Sequence, residues 1–186
     1  MRSIWILLFS LVMALLVMSF SFFKSSYSDI ASNIIAKVGR NLAKKHKMDF
    51  FGTSGGMMDC VRMVGFSFQI NRPISRDEAR YLIVDCVEEL LKAFNENEKI
   101  RPFLMNYPFT EENVDIAIYI AHPQWSGAHE PNAGIVGIYT DKYIVFKIRD
   151  KPAGKLLETS KELYQEALAG VKKDSQSSKM GTGLQN

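Results

Sequence analysis

The sequence is poor in the residues from which covalent staples and metal centres are built. Two cysteines and three histidines in 186 residues exclude a disulfide-dense mini-protein and a four-cysteine zinc site. No strong excess of one charge is present, since 23 basic and 20 acidic residues leave +3. That small balance, with no aromatics interleaved among the basic residues and no recognition motif, argues against a nucleic-acid partner. The apolar fraction of 47% excludes a wholly disordered chain. No internal repeat is visible.

One long hydrophobic run is present. Ser3 to Phe23 contain no charged residue, and Arg2 and Lys24 flank them. At about 1.5 Å per residue, a helix of this length crosses a hydrocarbon core of about 30 Å. The segment 1–28 therefore reads as a signal peptide or a signal anchor. Ser19 and Ser21 fit a cleavage that leaves Phe22 first, and Ser26 and Ser28 one that leaves Asp29 first. Lys24, Lys37 and Arg40 follow the run and only Arg2 precedes it, so the count of positive charges leans toward a body that stays inside. The layout of a short N-terminal apolar segment favours export. The expected location is exported, periplasmic or secreted, or membrane-anchored through residues 3–23.

The remainder reads as a single domain over 29–172 and a disordered tail over 173–186. Ile30, Ile34, Val38 and Leu42 recur every four residues, with Ala31 and Ile35 beside them, and predict an amphipathic helix over Ser28 to Met48. Gly52, Gly55 and Gly56 mark a loop. Val64, Phe66, Phe68 and Ile70 alternate with polar residues and predict a strand near Val61 to Ile70. Ser75 and Glu78 form a capping box at the start of a second helix ending near Asn95 or Asn97. The stretch Arg101 to Thr110 is irregular around Pro102 and Pro108, and packs the end of that helix onto the sheet. Val114 to Ile120 reads as a half-buried strand, and Ile135 to Tyr139 with Tyr143 to Ile148 as a hairpin. Thr159 and Glu162 suggest a second capping box ahead of a last helix. The expected fold is a two-layer α+β sandwich. Its mainly antiparallel sheet has about four strands, with helices on one face, in the order α-β-α-β-β-β-α.

No catalytic set emerges. Gly52-Thr53-Ser54-Gly55-Gly56 resembles the nucleophile stretch of chymotrypsin-like proteases, but that family needs two β-barrels and an upstream histidine and aspartate. His46, Met48, Met57, Met58 and Cys60 are soft ligands of a kind that suits copper(I), without a diagnostic spacing. Cys60 and Cys86 lie too far apart in the expected strand–helix geometry for a disulfide. No cofactor and no metal is expected. The segment from His122 to Ala133 is the expected partner-binding loop, through His122, Trp125, His129 and Glu130. Residues 29–48 carry +4 and residues 49–186 carry −3. Lys37, Arg40, Lys44, Lys45 and Lys47 thus form a candidate membrane-surface face.

Three stretches, Gly55-Gly56-Met57, Ser75 to Arg80 with Cys86, and Arg101-Pro102 with Tyr107 to Thr110, together resemble a family of small predicted exported bacterial proteins without assigned activity. The resemblance covers roughly residues 30 to 150 and implies no catalytic residues. The expected function is a non-enzymatic exported or membrane-anchored binding domain with a protein or envelope-component partner. The alternatives are a small metal-dependent envelope hydrolase using His122, His129 and Glu130, and a membrane-surface tether using the basic helix.

Overall fold

A computed structural model describes residues 27–120, 134–138, 142–149 and 156–181. The N-terminal uncharged run, the segment 121–133 and Thr140 and Asp141 lie outside the described residues. The fold is α+β, with six strands and three helices among the described residues. The first helix, α1, occupies 27–46. It is followed by β1 (Asp49–Gly56), β2 (Met63–Ile70), α2 (Arg76–Asn95), β3 (Val114–Ile120), β4 (Gly134–Ile138), β5 (Tyr143–Arg149), β6 (Leu156–Leu163) and α3 (Tyr164–Gly181). The strands lie in sequence order across one sheet.

Four of the five strand pairs are antiparallel, and β2 and β3 are parallel. The parallel pair follows from α2. Twenty helical residues span about 30 Å and carry the chain back to the end where β2 began, so β3 must run the same way as β2. The expected sheet of about four strands is thus corrected to six, and the expected order gains two strands. The glycine-bearing segment expected as a loop is edge strand β1, and seven of its residues find Cα partners on β2. Glycine weakens a strand but is tolerated at an edge, where pairing on one side suffices. Thr159 and Glu162, expected as a helix cap, lie inside β6; Thr159 donates its hydroxyl to the Phe146 carbonyl at 3.1 Å, beside a register shift. The tail expected to be disordered from Lys173 is helix as far as Gly181.

Local chemistry sets the helix ends. Ser75 caps α2 by accepting the Glu78 amide at 3.1 Å. The Glu78 carboxylate turns to Arg72 instead of completing the box. Helix α1 stops at Lys47, whose φ of 54° is left-handed, and the Met48 amide donates back to the Ala43 carbonyl at 2.9 Å. That is the Schellman closure, made here without glycine.

One core joins the layers. Val64, Phe66, Phe68, Ile116, Ile118, Val136, Ile138 and Ile144 from the sheet meet Ala31, Ile35 and Leu42 of α1 and Leu82, Ile83, Val87 and Leu90 of α2. Tyr164 and Ala167 of α3 join the same cluster. Gly39 sits mid-helix because the Phe50 ring occupies the place of a side chain; an added Cβ would lie 2.3 Å from Phe50 Cε2. Gly65 is required for the same reason on β2, where a Cβ would fall on the Asp115 carbonyl of β3.

Neutral side chains order the link between α2 and β3. Asn95 holds the backbone of Phe109 in both directions, at 2.8 and 3.0 Å. Asn113 is buried; it donates to the Arg62 carbonyl at 3.0 Å, accepts from the Thr110 amide at 3.1 Å and exchanges bonds with Asn106. Phe109 stacks on Phe94 with centroids 5.8 Å apart. The proline-bearing link is therefore packed onto the end of α2.

Candidate functional site

Helices α1 and α2 run antiparallel. Lys45 and His46 at the end of α1 meet Asp85 in the middle of α2, and the start of α1 lies beside Ala93, Glu96 and Asn97. Between the helices lies an open groove of about 530 Å³, lined by Ile30, Asn33, Ile34, Lys37, Val38 and Asn41 from α1 and by Ala93, Glu96 and Asn97. Its volume falls in the usual range of ligand pockets. Ile30, Ile34 and Val38 are half-buried and repeat every four residues, so they form one continuous ridge along the helix. The fully buried residues of α1, Ala31, Ile35 and Leu42, lie on the adjacent stripe and face the sheet. Ile30, Ile34 and Val38 also pack against the edge of that core and leave one side to the groove. The width of this apolar face was the available sequence signal for the groove, and it reads as ordinary core from periodicity alone.

A second cleft, of about 410 Å³, separates α2 from α3 and β6. It is charged. Arg80 donates to both oxygens of Glu162, at 2.6 and 2.9 Å, and also to Asp77. The hydrogen bond to Glu162 is the main reason the Arg80 pKa is raised. Arg76 lies 3.8 Å from Glu162 and stacks over the Phe146 ring. This bidentate network fastens β6 to α2. Tyr164 works similarly from α3. Its hydroxyl donates to Glu88 at 2.8 Å, and its pKa is raised by burial and by that bond.

The sequence-predicted residues fare unequally. His122, Trp125, His129 and Glu130 lie outside the described residues. Their segment leaves the sheet at Ile120 and re-enters at Gly134, which are register partners. Of the basic face, Lys37, Arg40, Lys44 and Lys47 are exposed along α1. Lys45 is committed to α2: its ammonium donates to both Asp85 oxygens at 2.9 and 2.8 Å, and that hydrogen bond raises its pKa. The soft-ligand group is split. His46 bonds Asp85 at 2.7 Å, and Met48 is buried nearby. Met57, Met58 and Cys60 follow the far end of β1, about 23 Å along a strand of that length. Among the described residues no three histidine, cysteine, aspartate or glutamate side chains gather to hold a metal. Ser54 sits on the edge strand, with its hydroxyl 3.4 Å from the Asp115 carbonyl. Cys60 and Cys86 are free thiols, and burial pushes the Cys86 thiol well up. Among the described residues no helix is long and apolar enough to cross a membrane.

The fold is an α+β domain, and its groove combines an apolar ridge with a polar rim of Asn33, Lys37, Asn41, Glu96 and Asn97. Compared with known protein families, curated proteins and solved structures, the chain matches none.

Proposed function

We propose that the chain is a membrane-anchored, non-enzymatic binding domain whose α1–α2 groove takes an apolar helical segment of a protein partner. The observation that carries the reading is the partly buried ridge of Ile30, Ile34 and Val38, which lies along the first three turns of α1 and lines the groove. The apolar run ends at Phe23, so the groove opens beside the point where that run joins the domain. A third helix laid over two antiparallel helices buries such a ridge by the same ridge-into-groove packing that joins helices in a core. Lys37 and Glu96 flank the groove on opposite helices and would bias the direction of a charged partner segment.

The test is photocrosslinking in the native cell. A benzophenone amino acid replaces Ile34 in one variant and exposed Arg40 in another, and mass spectrometry identifies the adducts and the N-terminus. The expected result is a discrete protein adduct from position 34 that is absent from position 40 and is lost on Val38→Asp. An N-terminus at Met1 or Arg2 in the membrane fraction supports the anchor. No adduct at 34, or one indifferent to Val38→Asp, rejects the groove; a soluble form beginning at Phe22 or Asp29 rejects the anchor.

A further inference from the structure

Exposed apolar side chains lie at both ends of the sheet: Phe51, 71% exposed, meets Tyr119 toward the Ile120 end, and a group of three lies at the other. Met58 is 74% exposed, Met105 56% and Tyr107 55%, and all three belong to the loops at one end of the sheet. The loops are joined to each other. The Val61 amide donates to the Phe103 carbonyl at 2.8 Å, and the Met105 amide to the Val61 carbonyl at 2.9 Å. Tyr107 is fixed beside them, with the Arg101 guanidinium 5.3 Å from its ring centroid.

The same end receives the start of α1. Tyr27, the first described residue, is buried. Its hydroxyl donates to the Met58 carbonyl at 3.2 Å, and its ring stacks on Phe103 with centroids 5.0 Å apart. The uncharged run Ser3–Phe23 ends four residues earlier. Four residues reach at most about 14 Å. A run that spans a bilayer therefore holds Tyr27, and the two loops pinned to it, within that distance of the membrane.

We propose that this end of the domain rests on the bilayer, with Met58, Met105 and Tyr107 entering the headgroup layer. The inference rests on the membrane-anchored reading above and adds the orientation. Methionine and tyrosine suit that layer, since one is apolar and adaptable and the other carries a polar tip on an aromatic body. Charge at this end is mixed, since Arg62, Lys99, Arg101 and Lys142 share it with Asp59, Glu96, Glu98, Glu111 and Glu112 and Lys142 pairs with Glu112, so apolar insertion and not charge makes the contact. The basic residues are misplaced for it. Lys44 lies about 26 Å along α1 from Tyr27, well beyond the reach of unscreened attraction at physiological salt. In this orientation Ile120 and Gly134, where the segment 121–133 joins the sheet, lie at the opposite end and point away from the membrane.

Cys60 lies two residues from Met58 and is partly exposed, whereas Cys86 is buried, so the native chain carries one labelling site at this end. The full chain is reconstituted into vesicles of phosphatidylcholine and phosphatidylglycerol and washed with alkaline carbonate. An environment-sensitive fluorophore sits on Cys60 or, in a Cys60→Ser, Lys44→Cys variant, on position 44. Brominated lipid should quench the label at 60 several-fold more than the label at 44. High salt should leave that difference unchanged, and Met58→Asp with Met105→Asp should reduce it while the chain stays in the vesicles. A chain retained after the wash with equal quenching at both sites overturns the orientation and leaves the anchor standing. Stronger quenching at 44 that salt abolishes overturns it in favour of the basic face. A chain released by the wash overturns both.

Discussion

The two ends of the sheet are held by different chemistry. At the end where α1 begins, neutral amides do most of the closing, Asn95 on Phe109, Asn113 on Thr110, Arg62 and Asn106, and Asn97 on the amides of Lys99 and Ile100, while Arg101 donates to the Asn95 carbonyl and Lys142 pairs with Glu112. At the opposite end the fastenings are charged. Asp85 takes Lys45 and His46, Glu78 takes Arg72, and Asp49 accepts from Asn71 at 2.8 Å. Neutral clamps need no solvating water and keep their strength beside apolar surroundings. Charged pairs are comfortable only where water reaches them, because desolvation costs more than the attraction returns. The part-buried clamps at the end that exposes Met58, Met105 and Tyr107 are thus mostly neutral, and the ion pair of Lys142 with Glu112 stands on its exposed rim.

The strongest way to break this contrast is Asn113→Ala. It strands the Thr110 amide and the Arg62 carbonyl and removes a buried side chain with four hydrogen bonds. A loss of about 3 kcal/mol in denaturant unfolding is expected, from several bonds of about 1 kcal/mol each plus unpaired groups. Asp85→Ala probes the other end. It releases Lys45 and His46, of which Lys45 is half-exposed, and a smaller loss of about 1 kcal/mol is expected in the same assay. Equal losses would show that both ends depend on their clamps alike.

The smallest effect is expected at Tyr164, where β6 passes into α3. Burial and the Glu88 bond raise its pKa in the folded state. The unfolded phenol loses its proton near about pH 10, so the contribution of Tyr164 is complete below that pH and is lost as pH rises beyond it. Tyr164→Phe should cost about 0.5 kcal/mol at neutral pH, because water can replace the phenol at half-exposed Glu88, and make the alkaline decline of stability shallower. Thermal unfolding followed from pH 7 to about pH 11 measures both. An unchanged alkaline limb would assign the decline to other groups, Cys86 first, since burial raises its pKa in the same direction.

Much of the scaffold was legible because it obeys local rules. The alternation in Val64–Ile70 and Val114–Ile120 marks core-facing strands, and Ser75 caps α2 as its spacing predicts. The groove was only half legible. The Ile30, Ile34, Val38 ridge is plain as hydrophobicity, but only packing divides it from the buried Ala31, Ile35, Leu42 stripe. Strands β1 and β6 were not legible. Gly-Thr-Ser-Gly-Gly and Leu-Glu-Thr-Ser-Lys-Glu have weak strand preference, and each is made a strand by the neighbour it pairs with.

By itself the sequence determined the uncharged N-terminal run, the two long amphipathic helices and the strands that form the centre of the core. Each rests on the period of apolar residues, which is set by covalent geometry and needs no partner. Tertiary structure decided the rest. It made β3 parallel to β2, because α2 returns the chain to its starting end. It recruited glycine- and charge-rich segments as edge strands, because an open row of backbone donors and acceptors accepts almost any extended chain. It gathered Tyr27, Met58, Met105 and Tyr107 at one end and sent Lys44, Lys45 and Lys47 toward the other. Tyr27 meets Met58 and Phe103, 31 and 76 positions on, only when the whole sheet is assembled, and no local rule reports where an assembled surface will lie.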